Sequence, residues 1–215
     1  YAPLPAVTTI EEALREDSYP IHPGGNVVST LEAGSADDVE EAFRSCDYVT
    51  EGRYVTQSVT PAAIEPHVAI ADWTADDSLT VYSPSQNTFA FRIILSEIFG
   101  LPFSRVRMIA PCLGGGFGGK LEMTVEPVAA VLSRMAGRPV KVVMSRGEVL
   151  SSTRVRHPSV NHVRTGFMRD GTIRAVDFKI YLNTGAYASS ALNVAGALLH
   201  KVFGGYRIGH MHIAG

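Results

Sequence analysis

The residues with the most evident capacity for chemistry lie in one run, Gly114-Gly-Gly-Phe-Gly-Gly-Lys120. Five glycines in six positions carry a large backbone entropy cost, so a folded chain keeps them where a side chain would clash or where φ must be positive. Such a loop can bring backbone N–H groups close to an anion or an electron-rich ligand, and the N-terminal end of a following helix would add to the attraction. The common nucleotide motifs fail here. Leu121 follows Lys120, so the hydroxyl that a Walker loop offers to magnesium is missing. A dinucleotide fingerprint forced onto Gly114, Gly116 and Gly119 puts Phe117 where phosphate must approach, and no acidic residue ends a strand about twenty residues later. On composition alone the better reading of the loop is a tight internal turn with Phe117 as a buried plug.

Further candidates are weaker. Glu65 and His67 are ordinary metal-ligand types, but residues two apart on a strand make only a pair where a site needs three or four ligands, which favours structural roles. Arg154, Arg156 and His157 form a small basic cluster suited to a phosphate or carboxylate, or equally to salt bridges and a solvated face. His200, His210 and His212 fall near the C-terminus. The last two alternate along a strand, which is thin evidence for metal and better evidence for a frayed end. Cys112 has no histidine near it in sequence to activate it and reads as a loop-packing residue.

The elements that must position these residues are marked by local signals. Thr9-Ile-Glu-Glu12 is a capping box that starts a short helix, Asp17 to Val28 reads as a linker, and Ser35 caps a second helix with Val39, Ala42 and Phe43 on one face. Apolar runs at Tyr54–Val59, Val68–Trp73 and Leu79–Tyr82 suit adjacent strands of one sheet. Gln86 to Gly100 carries Phe89, Ile93, Ile94 and Ile98 at helical spacing with a glycine stop. Arg105–Ala110, Thr124–Ala136 and Pro139–Met144 form a strand, helix and strand around the glycine loop. Val160–Met168 and Thr172–Leu182 flank Asp170-Gly171, a hairpin signal, and Ser190 to His200 suits a helix. The mixture of hairpins and helix crossovers predicts an α+β fold with mixed and antiparallel sheets.

The 215 residues suit one domain or two small ones. A net charge of −2, with scattered basic residues, leaves no footprint for a nucleic acid or an anionic membrane. Two cysteines exclude a disulfide framework, a structural zinc or an iron–sulfur cluster, and a reducing, cytoplasmic location fits. No apolar run has membrane-spanning length.

Pro111-Cys-Leu-Gly-Gly-Gly-Phe-Gly-Gly-Lys120, followed by Glu126-Pro-Val-Ala-Ala130, Gly137-Arg-Pro-Val140 and Met144-Ser-Arg146, closely resembles the molybdopterin-binding large subunit of the xanthine dehydrogenase and aldehyde oxidase family. The likeness runs through Tyr1-Ala-Pro-Leu-Pro-Ala-Val7, Thr56-Gln57, Ile64-Glu-Pro-His67, Ser85-Gln86-Asn87, Arg156-His157-Pro158, Asp170-Gly171 and Asn183-Thr-Gly-Ala-Tyr187, in family order. It implies that residues 1–48 are a linker segment with short helices following an absent small domain. Residues 49–215 are then the truncated N-terminal part of the molybdopterin-binding domain.

The resemblance also implies a site. Gly115, Gly116, Phe117 and Gly118 would lie against the molybdenum-molybdopterin cofactor, with the Phe117 ring bordering substrate and the Gly118 N–H facing the metal's oxo ligand. Val59 aligns with a glutamine that bonds a metal ligand in many members, and nearby Gln57 is the candidate for that role. Leu121 stands in the substrate pocket where xanthine-oxidising members carry a glutamate, and Gly196, before Ala197-Leu-Leu-His200, stands where they carry an arginine. A purine substrate is therefore disfavoured. No protein residue is expected as a metal ligand, and the catalytic glutamate is expected beyond residue 215. The implied activity is hydroxylation, or reductive dehydroxylation, of a heterocycle, aldehyde or aromatic thioester. FAD and iron–sulfur clusters would sit on other domains or subunits, with those and the rest of the molybdenum subunit as partners. The 215 residues alone should be inactive and free of cofactor. A second function class, read from the loop alone, is a non-catalytic domain that binds a phosphate-bearing ligand or a partner chain.

Overall fold

In a computed structural model that describes residues 2–215, most elements begin and end at the local signals just named. Helix α1 (Ile10–Ala13) starts at the Thr9 capping box. Strand β1 (Glu32–Gly34) precedes α2 (Ala36–Phe43), whose Ser35 cap accepts from the Asp38 N–H. Then come β2 (Tyr48–Thr56), β3 (Val68–Trp73), β4 (Leu79–Tyr82), α3 (Thr88–Phe99), β5 (Val106–Ile109), α4 (Glu126–Ala136) and β6 (Val140–Val143). The chain closes with α5 (Arg146–Ser152), β7 (Ser159–Phe167), β8 (Ile173–Leu182), α6 (Ala191–Lys201) and β9 (Ile208–Ala214). Gly100 and Gly137 end α3 and α4 in the left-handed conformation. The Asp170-Gly171 turn joins β7 to β8, with Gly171 at φ +88°. Tyr1, the first residue of the proposed lead-in, lies outside the described residues. Helix α5 was not anticipated, although Ser145 and Glu148 form a capping box at its start.

The chain divides into two bodies, Val59–Arg156 and the segments on either side of it. Residues 48 and 49 both lie in β2, inside the body made of the flanking segments. That body is a five-stranded mixed sheet in the order β1-β9-β8-β7-β2. Ala175 faces α2, packed with Val39, Ala42 and Phe43, while Val176, Phe178 and Ile180 point the other way, towards Leu198, Leu199 and Val202 around α6. The expectation of a frayed C-terminal end is overturned, because β9 runs parallel to β8 and antiparallel to β1.

The central body is a four-stranded sheet in the order β5-β4-β3-β6, with α3 and α4 on one face. Ala69 and Ala71 of β3 meet Ala129 and Ala130 of α4, all fully buried, and these small residues let helix and strand backbones approach closely. Two expectations need correction. The run beginning at Tyr54 does not join the sheet of β3 and β4, because β2 pairs with β7 from Tyr48↔Phe167 to Thr56↔Ser159. Helix α3 also turns a different face inward. Phe91 and Leu95 are buried, whereas Phe89, Ile93, Ile94 and Ile98 are exposed.

Candidate cofactor-binding site

The glycine loop connects the end of β5 to α4, and four side chains from three other parts of the central body hold it. Glu65 Oε2 accepts from the Gly114 N–H at 2.9 Å and from Lys120 Nζ at 2.6 Å, so one carboxylate oxygen spans both ends of the loop. The Glu65 N–H in turn donates to the Gly114 carbonyl at 3.2 Å. The Lys120 side chain is only 3% exposed. Burial alone would raise the Glu65 carboxyl, but the Lys120 ammonium and the Gly114 N–H outweigh it and hold Glu65 below its ordinary range. His67 Nε2 lies 3.0 Å from the Gly119 carbonyl, and since a carbonyl only accepts, this nitrogen carries the proton. Gln86 Oε1 accepts from the N–H groups of Gly118 at 3.0 Å and Lys120 at 3.3 Å. Arg156 donates to the Phe117 carbonyl at 2.9 Å.

These bonds brace one side of the loop and leave the other free. A Cβ on Gly116 would collide with the Gln86 amide, whereas one on Gly118 meets nothing within 4 Å. Gly118 has φ +88°, which a side chain would strain, so conformation rather than crowding favours glycine there. Phe117 sits at φ +51° and is 63% exposed. A non-glycine residue in this region is uncommon and persists when its surroundings over-determine it, as the bonds on either side do here. The buried-plug alternative for Phe117 is thereby excluded. Among the described residues, the N–H groups of Gly115, Gly116 and Phe117 have no protein acceptor.

Several candidates fall elsewhere or act differently. At the start of α4, buried Glu126 accepts from the Thr124 N–H at 2.8 Å and the Ser83 hydroxyl at 2.7 Å. Glu65 and His67 serve the loop rather than a metal, and no metal-ligand cluster occurs among the described residues. Arg154 pairs with Glu122 at 2.8 Å. Leu121 is 40% exposed, directly after Lys120. Gln57 is exposed just after β2, in the other body. Cys112 is exposed, not packed. Sequence reasoning did not single out Gln86 as a site residue. Its position one residue before the α3 cap, Asn87, was the available signal. A cavity of about 560 Å³ lies in the five-stranded body. It is lined mainly by aliphatic side chains such as Leu14, Leu31, Ile180 and Leu199, and no candidate for chemistry faces it.

Fold and site together define a class: a cofactor-binding domain with a braced, glycine-built wall whose free face carries an exposed aromatic ring. Residues 21–215 match the molybdopterin cofactor-binding domain family, and the chain belongs to it. It is 39% identical over 203 residues to the putative xanthine dehydrogenase molybdenum-binding subunit of Escherichia coli K12, covering 93% of this chain and 26% of that protein. It is 40% identical over 191 residues to the nicotinate dehydrogenase large molybdopterin subunit of Eubacterium barkeri, covering 88% and 44%. Aldehyde oxidoreductase from Desulfovibrio gigas superposes with a TM-score of 0.88 at 28% identity, over 99% of this chain and 24% of that one. The chain thus spans between about a quarter and under half the length of these relatives. Among the described residues, no helix is long and apolar enough to cross a membrane.

Proposed function

We propose that this chain supplies the glycine wall of a molybdenum-cofactor oxidoreductase that hydroxylates, or reductively dehydroxylates, a heterocycle, aldehyde or aromatic thioester. The observation that carries the reading is the free face of the loop, with Phe117 exposed at positive φ and open space beside Gly118. A bulky, electron-rich group fits this face, because it meets unpaired N–H groups at Gly115, Gly116 and Phe117 and no Cβ at Gly118. When bound, the cofactor supplies two-electron redox chemistry.

The chain's own residues then have defined tasks. Gly115 and Gly116 approach the cofactor, and Gly118 permits the closest contact. The Phe117 ring borders the substrate and keeps water from the reacting centre. Two N–H donors converge on Gln86 Oε1, which fixes the orientation of that amide and leaves its NH₂ as the group able to donate to a ligand. Gln86 therefore takes precedence over Gln57 as the amide of the site. Leu121 offers an apolar contact where a purine would need an acid, and the named substrate of the Eubacterium relative, nicotinate, belongs to the heterocycle class.

In this reading residues 1–48 lead in from a preceding small domain, and residues 49–215 begin the molybdopterin domain. The base and most of the cofactor's grip come from further chain, and flavin and iron–sulfur units are partners in the cytoplasm. The 215 residues alone are inactive and hold no cofactor. Family membership does not favour the phosphate-binding or partner-docking alternative. Metal and pterin analysis of the full-length protein from its native host tests the reading. Molybdenum and pterin in stoichiometric amount are expected, and their absence would overturn it.

A further inference from the structure

We infer that Glu65 and Lys120 form a clasp that positions the glycine wall. Both are positioning residues acting through the loop; neither touches the reacting atoms. The inference rests on the proposed function above for its consequences in turnover, but the clasp itself is a property of the loop.

Glu65 Oε2 is shared by a backbone donor at the loop's entrance, the Gly114 N–H at 2.9 Å, and a side-chain donor at its exit, Lys120 Nζ at 2.6 Å. The separation of the two ends is thereby set by one oxygen atom. Between those ends the only internal backbone bond among the described residues is Gly119 N–H to Gly116 carbonyl at 2.8 Å, so regular secondary structure does not hold the wall in shape. A Cβ on Gly114 would lie 2.6 Å from Glu65 Cβ, which shows how closely the loop's entrance is drawn onto this residue. The Lys120 ammonium has Glu65 as its ion-pair partner and is 3% exposed, so it cannot turn to water without the exit strand of the loop moving as well. Lys120 also anchors Gln86, whose backbone N–H donates to the Lys120 carbonyl at 3.0 Å while its Oε1 receives the Lys120 N–H. Loosening the clasp therefore shifts Phe117, Gly118 and the Gln86 amide together. A merely stabilising ion pair would be replaceable by any neutral pair of similar volume. A positioning pair would not, because the distance between Gly114 and Lys120 depends on the shared oxygen.

The test uses the full-length holoenzyme and three variants: Glu65→Gln, Lys120→Met, and the two combined. Each single change leaves a partner without its counter-charge, and the double change removes that fault. Hydrogen exchange at the amides of residues 114–120 and at the core residues Leu95 and Ala129 is measured together with molybdenum and pterin content, kcat and KM. In the double variant, core exchange is expected to return to the parental rate while loop exchange stays at least tenfold faster. Its kcat is expected to fall about 10–100-fold, the scale typical of lost outer-shell support, with cofactor content within twofold of parental. Parental kcat in the double variant, or unaltered loop exchange, would overturn the clasp. If the parental protein holds no molybdenum or pterin, the proposed function fails instead, and loop exchange still decides the clasp.

Discussion

Each body of the protein buries a cluster of charge-bearing side chains, and the two clusters differ in what they hold. In the central body, Glu65 and Lys120 close a segment with almost no backbone bonding of its own. In the five-stranded body, His212 of β9 is 5% exposed and bridges Asp177 of β8 at 2.7 Å and Glu32 of β1 at 2.8 Å. Those strands are already joined through Gly34↔His212 and Asp177↔His212 in the ladder, so the cluster reinforces a geometry fixed by main-chain bonds. The loop has no such ladder. Side chains must set its shape, and this makes the glycine wall sensitive to single substitutions that a sheet would absorb.

Unequal response of the two clusters is the largest effect expected. Glu65→Ala leaves Lys120 buried without a counter-charge and should cost about 3–5 kcal/mol in urea unfolding. Glu32→Ala, whose side chain is 64% exposed, should cost under about 1 kcal/mol. Similar losses from the two would break the contrast.

Gly118 and Gly171 offer a second comparison, since both sit at φ +88° with open space around them. Alanine at either should cost about 1–2 kcal/mol through left-handed strain. Only Gly118→Ala should lower the molybdenum content of the holoenzyme, and equal cofactor loss from both would show that the effect is strain alone.

Acid–base behaviour separates the bodies on a smaller scale. Burial lowers the His212 pKa, but the bonds and charges of Asp177 and Glu32 outweigh it, and the net direction is upward from 6.5. A raised histidine stabilises fully below its unfolded pKa and loses that contribution as pH rises through the folded value. Stability followed by denaturation as pH rises above 6.5 should therefore decline for the parent and stay flatter for His212→Gln. Glu65 moves the other way. Its lowered pKa keeps the clasp charged at neutral pH and releases it only in acid, as the carboxylate gains a proton.

Phe117→Ala should give the smallest stability change, within about 0.5 kcal/mol, because the ring is exposed. In the holoenzyme the same variant should alter KM or kcat clearly between substrates. Unchanged kinetics would contradict the wall's assignment to the substrate side.

Local chemistry was legible wherever it was short in range. The Thr9 and Ser35 caps, the Gly100 and Gly137 stops and the Asp170-Gly171 turn each depend on residues within four positions of one another, and each appears where its signal stands. The glycine run was equally visible, since no other composition explains such an entropy cost. The partner of β2 was not. Its ladder to β7 joins residues about a hundred positions apart, such as Thr56 and Ser159, and alternation within a strand does not specify its neighbour. The inward face of α3 was misread for a related reason. A helix apolar on more than one side carries two candidate faces, and packing beside β5 left Phe91 and Leu95 buried.

The sequence by itself therefore determined the glycine run, most helix ends and the family, because each is written in contiguous or closely spaced residues. Only the tertiary structure decided what holds the wall. Glu65, His67, Gln86 and Arg156 stand between 32 and 55 positions from the loop residues they bind, and the Lys120 charge could be buried only once a carboxylate from that distance had folded onto it.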